Sequence, residues 1–468
     1  MLFSSITFLF TFLPLTMVLY YICPQNGKNA VLLTASLIFY AWGEPVYVVL
    51  MILVILFNYI CGKDIYLKLR NKKAAKRSLI SAVAINLLIL GFFKYYGFFV
   101  DLCDAFLPIR IPKRELSLPI GISFYVFQAV SYLIDVYRGE VKAQKHLLHF
   151  ALYISMFPQL IAGPIVRYID IEVQLNKRTV SLAKFGSGVR FFIIGLGKKV
   201  ILANGIGAIF DSIYSGFAAG GKLSVLTAWL GAAAYTLQIY FDFSGYSDMA
   251  MGLGRMFGFQ FPKNFDYPYT AKSITDFWRR WHISLSTWFR EYVYIPLGGN
   301  RVNTGRHIFN LMAVWSLTGF WHGAAWNFLF WGFYYGVLLI MEKYIWGERL
   351  KQLPLAIQHL YTLFIIVIGW VFFFSSSLKE ALAYLGMLFG LGAAGLSDSA
   401  VLFLLCSNWL LLFAALAACV PLPFRILMQV KNAFFQKYCA NIIYLLLFLI
   451  SIASLVSGTF NPFLYFRF

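Results

Sequence analysis

Apolar runs recur along the chain from residue 2 to residue 460, separated by short polar breaks or breaks that carry glycine and proline. They are too many and too evenly spread to be one anchor on a water-soluble head, so the chain itself is the membrane domain. The pattern predicts crossings at 2–22, 30–42, 46–61, 79–99 and 118–136, and later at 185–210, 223–243, 308–320, 326–346, 355–374, 400–420 and 441–460. Segment 151–166 contains FPQLIAGP, whose Pro158, Gly163 and Pro164 cannot sit in one regular helix, so a re-entrant element is expected there. Segment 244–305 is too polar for a simple span yet holds Trp278, Trp281 and Trp288, which predicts short helices at the cytoplasmic interface. The expectation is an all-α polytopic membrane protein with about eleven to twelve transmembrane helices plus re-entrant and interfacial helices. Runs well under about 20 residues suit a thinned membrane or incomplete crossings. Residues 1–468 read as a single integral-membrane domain ending in an aromatic tail, 461–468. No repeat of solenoid length is present.

Composition agrees: 60% of residues are hydrophobic and 12% charged, which excludes a soluble domain. The 19% aromatic content places much of the chain near the interfaces. A net charge of +20 would suggest nucleic acid in a soluble protein, but here the positive-inside rule absorbs it and no nucleic-acid partner is expected. Lys63, Lys68, Arg70, Lys72, Lys73, Lys76 and Arg77 cluster in one short loop, which should be cytoplasmic. Arg425, Lys431 and Lys437 mark a second inside loop, and the mixed-sign loop from Asp101 to Glu115 fits the outside. The first span has no positive n-region or cleavage site, so it is read as retained, with the N-terminus outside. The six cysteines show no CxxC and read as small hydrophobes; no metal site is expected, and the His146/His149 pair lacks a third ligand.

Ionisable residues in an apolar stretch cost about 2.5–3.5 kcal/mol each on insertion scales, which makes them functional candidates. His322, in LTGFWHGAAW (317–326), is the first: an imidazole there can move protons near neutral pH, and Gly319 and Gly323 leave room for a substrate or another backbone. A core histidine satisfied by a carbonyl is the plainer reading. His282, in DFWRRWHISL (276–285), is the second, with Arg279 and Arg280 at consecutive positions suited to phosphates of a nucleotide-bearing donor. The same arginines beside tryptophan could grip lipid headgroups. Asp242, Ser244 and Asp248 could form an ion site or a polar helix end. Gly252, Gly254 and Gly258 lack the βαβ context of a dinucleotide fingerprint, and no G-x-S-x-G elbow accompanies the histidines. The tail NPFLYFRF should fold back as an interfacial anchor, or use Tyr465 to accept an acyl group if a base such as His322 takes its proton.

The blocks SLIFYAWGEP (36–45), LPIGISF (118–124), FPQLIAGP (157–164), YFDFSGYSD (240–248), DFWRRWHISL, YIPLGGNR (294–301) and TGFWHGAAWN (318–327) together resemble the membrane-bound O-acyltransferase family over nearly the whole chain. They are most similar to its bacterial alginate O-acetylation branch, and more distantly to proteins that transfer D-alanine to teichoic acid. The resemblance implies a thinned centre between a cytoplasmic funnel for the acyl donor and an extracellular funnel for the acceptor. His322 falls on the family's tunnel histidine and His282 on its second motif position. Tyr465 matches the tyrosine of an F-x-Y-F-x-F tail thought to carry the acyl group in related systems. Arg279, Arg280 and Lys272 would hold the phosphates of coenzyme A. No permanently bound cofactor is implied; the donor substrate is acetyl-CoA or an acyl-carrier thioester. The implied partners are a secreted or membrane-tethered serine esterase-like acetyltransferase, a polysaccharide acceptor and membrane lipid. The implied activity is O-acetylation of an extracellular or periplasmic polysaccharide, by transfer across the bacterial cytoplasmic membrane. D-alanyl or other acyl transfer to teichoic acid, lipid or protein is the alternative; an ion-coupled transporter is a remoter one, weakened by the lack of internal symmetry.

Overall fold

The computed structural model describes residues 1–107, 112, 117–161, 163–422, 439–458, 461 and 464, and among them every regular element is helical. The chain forms two compact units, one of Met1–Phe192 with Asp248–Pro262 and one of Ile193–Ser247 with Lys263–Phe468.

In the first unit a π-helical stretch, Phe8–Phe12, leads into α1 (Leu13–Ile22), followed by α2 (Lys28–Gly43), α3 (Tyr47–Leu67), α4 (Lys72–Phe106) and α5 (Ile122–Arg138). After these come α6 (Leu147–Ser155), α7 (Phe157–Leu160), α8 (Tyr168–Asn176) and the start of α9 (Leu182–Gly197). The expected irregularity at 151–166 is present: the helix breaks at Met156 (ψ 111°), directly ahead of Phe157 and Pro158. Phe8, Phe12, Phe39 and Phe157 build an aromatic core, with Phe12 and Phe157 edge to face at 5.3 Å. Asn58 on α3 and Asn86 on α4 are fully buried and exchange amide hydrogen bonds of 3.0 and 2.8 Å. Each amide thereby satisfies the other inside an apolar helix pair. The basic cluster runs from the end of α3, which carries Lys63, through Lys68 and Arg70 into the first turns of α4, which carry Lys72, Lys73, Lys76 and Arg77; Asn71 caps α4 by accepting from the Ala74 N–H. Helix α4 is longer than the hydrophobic pattern predicts and includes Asp101 and Asp104; Arg110, Lys113, Arg114 and Glu115 lie outside the described residues.

In the second unit α9 passes through a π-helical stretch, Lys198–Ala203, into α10 (Asn204–Ala218), and α11 (Val225–Met256) follows. The crossing expected at 185–210 is one continuous helical segment, Leu182–Ala218, and Lys199 within it is neutralised by Asp242. Likewise α11 extends through Ser244 to Met256, a segment expected to be separate short helices. Gly245 makes this possible, since a Cβ there would lie 2.7 Å from the Gly195 carbonyl oxygen. Beyond α11 the expected short helices do form, as α12 (Ile274–Arg280) and α13 (Ile283–Phe289). The unit is completed by α14 (Thr304–His322), α15 (Trp326–Met341), α16 (Gly347–Gln352), α17 (Leu355–Phe374), α18 (Leu378–Leu388), α19 (Ser399–Ala418) and α20 (Ala440–Ser457). The loop residues Arg425, Lys431 and Lys437 lie outside the described residues.

Among the described residues seven helical segments are long and apolar enough to cross a membrane: Tyr47–Leu67, Lys72–Phe106, Leu182–Ala218, Trp326–Gln352, Leu355–Phe374, Ser399–Ala418 and Ala440–Ser457. Exposed Leu402, Phe403, Trp409 and Leu410 on α19 suit contact with lipid tails rather than water. The protein is a multi-pass, all-helical membrane protein.

Helices α14 and α15 form a tight hairpin because glycines face each other across it. A Cβ on Gly319 would sit 3.1 Å from the Gly332 Cα, and one on Gly332 would collide with the Trp315 carbonyl oxygen. Gly332→Leu is therefore expected to cost about 1–3 kcal/mol and lower the melting temperature in detergent. Gly91→Ala, where a Cβ meets nothing within 4 Å, should be neutral or stabilising in the same assay.

Candidate active site

His322 ends α14, where the chain turns extended at Gly323 (φ −168°) before α15 begins. The glycine-faced hairpin fixes this turn, and Gly323 admits the Phe328 ring where a side chain would clash. The room that Gly319 and Gly323 were expected to leave is thus occupied by the neighbouring helix. His322 is 5% exposed and enclosed by aromatic rings, with Trp331 at 5.1 Å and Phe373 at 5.2 Å, both edge to face. Trp370 and Trp278 back Trp331 in turn. Such a cage limits the imidazole to few orientations and keeps bulk water away.

His282 stands between α12 and α13 in the left-handed region (φ 45°, ψ 54°), an uncommon conformation for a non-glycine residue. Asn264 holds it there. The Asn264 Oδ1 lies 3.1 Å from His282 Nδ1 and also accepts from the Ser284 N–H at 3.2 Å and the Ser284 hydroxyl at 2.9 Å. Because the backbone N–H can only donate, that atom is the amide oxygen, so His282 Nδ1 must carry the proton. The lone pair is then on Nε2, the form a general base or acceptor needs. Burial pushes the His282 pKa down to about 3, which keeps the ring neutral. Phe243 packs edge to face against it at 4.6 Å.

Both histidines line one cavity of about 370 Å³ within the second unit, with the Trp321 ring 6.3 Å from His282 and 4.9 Å from His322. Its walls include Trp278, Trp281 and Trp315 and the cations Arg279, Arg290 and Lys343. Helix α12, which carries Arg279, is set by a buried carboxylate: Glu342 accepts the N–H groups of Ile274 and Thr275 at 2.6 and 2.9 Å and the Thr275 hydroxyl at 2.8 Å. The structure brings together His322, His282 and Arg279 of the residues singled out in the sequence. It does not bring Arg280 or Lys272 to the cavity wall. Arg280 pairs with Asp276 at 2.9 Å, the Lys272 N–H donates to the same carboxylate, and the Lys272 side chain faces outward. Tyr465 lies outside the described residues; within the tail segment Leu464 is buried.

The cavity also contains His307, which the sequence reading missed. Its Nε2 lies 2.7 Å from the Tyr294 hydroxyl and its Nδ1 2.5 Å from that of Tyr344. The adjacent turn is shaped by Gly298 (φ 107°) and Gly299 (φ 57°), with Asn310 donating to the Gly299 carbonyl, and it sets Asn300 in the wall. The paired glycines of the YIPLGGNR block are the sequence signal that could have marked this turn. Asn264, in contrast, carries no sequence signal because its partner is distant in the chain.

These features define a multi-pass membrane protein with a histidine-lined, aromatic-walled, cation-flanked cavity. Comparison with known proteins gives the particular family. The family model described as MBOAT, membrane-bound O-acyltransferase family, matches residues 138–378, which hold both histidines. A probable alginate O-acetylase AlgI of Pseudomonas putida is 40% identical over 491 residues, covering 100% of both chains. The corresponding protein of Azotobacter vinelandii is 44% identical over 404 residues, 85% of this chain and 80% of its own. A peptidoglycan O-acetyltransferase of Helicobacter pylori is 37% identical over 432 residues, 85% of this chain and 81% of its own. The chain belongs to the membrane-bound O-acyltransferase family and is an acyltransferase.

The depressed pKa of His282 couples pH to stability. Since the folded-state value of about 3 lies below the ordinary value of 6.5, the unfolded chain takes the proton first as pH falls. The stabilising difference is complete above about 6.5 and is lost toward the folded value. His282→Gln should flatten the fall in melting temperature between pH 7 and pH 4 relative to the wild type.

Proposed function

We propose that the protein takes an acetyl group from a cytoplasmic thioester donor and passes it across the bacterial cytoplasmic membrane for O-acetylation of an extracellular or periplasmic polysaccharide. The observation that carries this reading is the convergence of His322 and His282 on one aromatic cavity beside Arg279. Polysaccharide and acetyl are favoured because two of the similar proteins are described as alginate O-acetylases and one as a peptidoglycan O-acetyltransferase.

In this reading the thioester carbonyl enters the cavity and the attacking hydroxyl gives its proton to His322. The C–S bond breaks as the new C–O bond forms, and the thiol leaves with the proton returned from the imidazole. His282, neutral and held by Asn264, is the second catalytic group; its Nε2 lone pair can accept a hydrogen bond from the attacking hydroxyl or from water. Arg279 offers a bidentate contact to donor phosphates, with Arg280 and Lys272 on the outer side of the same segment. The donor is acetyl-CoA, or an acyl-carrier thioester of the same chemistry. Tyr465 takes the acyl group as a relay, since a phenol of pKa about 10 is more readily deprotonated by imidazole than an alcohol is. A secreted or membrane-tethered serine esterase-like acetyltransferase then places it on the glycan. Residues 1–468 work as one acyltransferase domain of eleven to twelve crossings, with the N-terminus outside and a funnel on each face.

His322→Ala should reduce acetyl esters on the host's exported polysaccharide by roughly 100-fold or more, while the protein is still found in membranes at normal amounts. Ester content at the wild-type level would sink the assignment. Tyr465→Phe, which removes only the hydroxyl, should have the same direction of effect; unchanged acetylation would show that the tail is an anchor.

A further inference from the structure

A second cavity, of about 630 Å³, lies within the first unit and shares no lining residue with the histidine cavity. Lys177, Arg178, Lys184 and Arg255 line it, and among the described residues no carboxylate does. The proposed acyl transfer uses none of these four cations.

The two arginines are built into the protein. Arg178 is half-buried: its Nε donates to the Phe257 carbonyl at 3.0 Å and the Tyr20 hydroxyl at 3.2 Å, and its Nη1 to Asn29 Oδ1 at 2.6 Å. Its Cζ lies 4.3 Å from the centroid of the Phe259 ring, and its Nη2 is a buried donor for which the described residues supply no acceptor. Arg255, also half-buried, donates to the Ser187 hydroxyl at 2.7 Å, with its Cζ 4.0 Å from the centroid of Phe191. All of these partners are neutral. Each guanidinium is therefore held in a fixed position while its charge is left uncompensated, an arrangement that an anion sharing the cavity would complete. Lys177 and Lys184 are exposed at the same wall, and Thr179 steers the Lys184 ammonium by accepting through its carbonyl at 3.1 Å and its hydroxyl at 2.8 Å.

The setting of the cavity identifies the class of anion. Ala183, Lys184 and Ser187 of its wall belong to the first turns of Leu182–Ala218, a segment long and apolar enough to cross a membrane. Leu182, adjacent in the chain, is 91% exposed, and Val173, adjacent to the wall residue Gln174, is 74% exposed. Cations gathered where a spanning helix begins, next to bare apolar side chains, match a molecule that is anionic at one end and oily at the other. A soluble phosphate would engage the cations and leave Leu182 and Val173 in water. We propose that this cavity binds the phosphodiester headgroup of an anionic phospholipid. Arg178 and Arg255 are its fixed charges, Lys177 and Lys184 close on the phosphate oxygens, and the acyl chains lie on the side of the exposed Leu182.

The test uses the full chain in an uncharged detergent, with the melting temperature read as phosphatidylglycerol, phosphatidylcholine or inorganic phosphate is titrated in. Phosphatidylglycerol should raise the melting temperature to a plateau, whereas phosphatidylcholine, whose headgroup has no net charge, should not. In the double variant Lys184→Gln with Arg255→Gln the half-saturating concentration of phosphatidylglycerol should rise by about 10-fold or more. Both glutamines keep a hydrogen-bond donor, and the quantity compared is a concentration, so a shift in the variant's own stability does not obscure it. Lys177→Gln, at an exposed position, should act in the same direction and serves if the double variant fails to fold. Lys73→Gln, in the first turn of α4, should leave the wild-type value unchanged. A half-saturating concentration equal to the wild type's in the cavity variants would overturn the proposal, as would an equal rise in Lys73→Gln or an equal plateau with phosphatidylcholine. If inorganic phosphate reaches the same plateau at similar concentrations, the cavity takes a soluble phosphate and the lipid assignment fails.

Discussion

Every amide or charge that this chain carries into an apolar interior has to be met by a partner, and the partners are what give the structure its fixed points. Asn58 and Asn86 satisfy each other between two adjacent apolar helices. Lys199 and Asp242 do so with opposite charges, and Glu342 does so by accepting two N–H groups and a hydroxyl at the start of α12. Asn264 serves His282 in the same way. In an interior with little water each unmet group would cost several kcal/mol, so these contacts select one arrangement among many similarly greasy ones.

The site grows out of this constraint together with close backbone packing. Gly319 and Gly332 bring α14 against α15, and that contact fixes the turn in which His322 sits among Trp331 and Phe373. Asn264 fixes the strained turn at His282 and also its tautomer. One histidine is thus held mainly by apolar shape and the other by hydrogen bonds. In the proposed reading, acyl transfer needs both a confined carbonyl and a proton acceptor of defined direction, which a site built in these two ways would supply.

Much of this was legible in the sequence where the signal is local. The bounds of α17 follow from an uninterrupted apolar run, and His322 stood out as an ionisable residue between apolar stretches flanked by glycine. The DFWRRWHISL block marked His282 and Arg279, because aromatic and cationic residues rarely alternate so closely without a site or an interface. The signal failed where the physical reason was distant in the chain. What meets the charge of Lys199 could not be read, because its counter-ion Asp242 lies in another helix. Residues 244–256 read as a separate polar segment because the packing that supports Gly245 is tertiary. Asn264, His307 and Glu342 were missed for the same reason: each acts on a residue at least thirteen positions away.

The central claim is that the cavity shared by His282 and His322 is where the acyl thioester reacts. A cryo-electron microscopy structure of the full chain in a lipid disc with a non-hydrolysable acetyl-CoA analogue tests it most directly. The expected result places the analogue's carbonyl in that cavity within hydrogen-bonding reach of an imidazole, with its phosphates on the Arg279 side. Density for the analogue at another place, with the cavity unchanged, would contradict it.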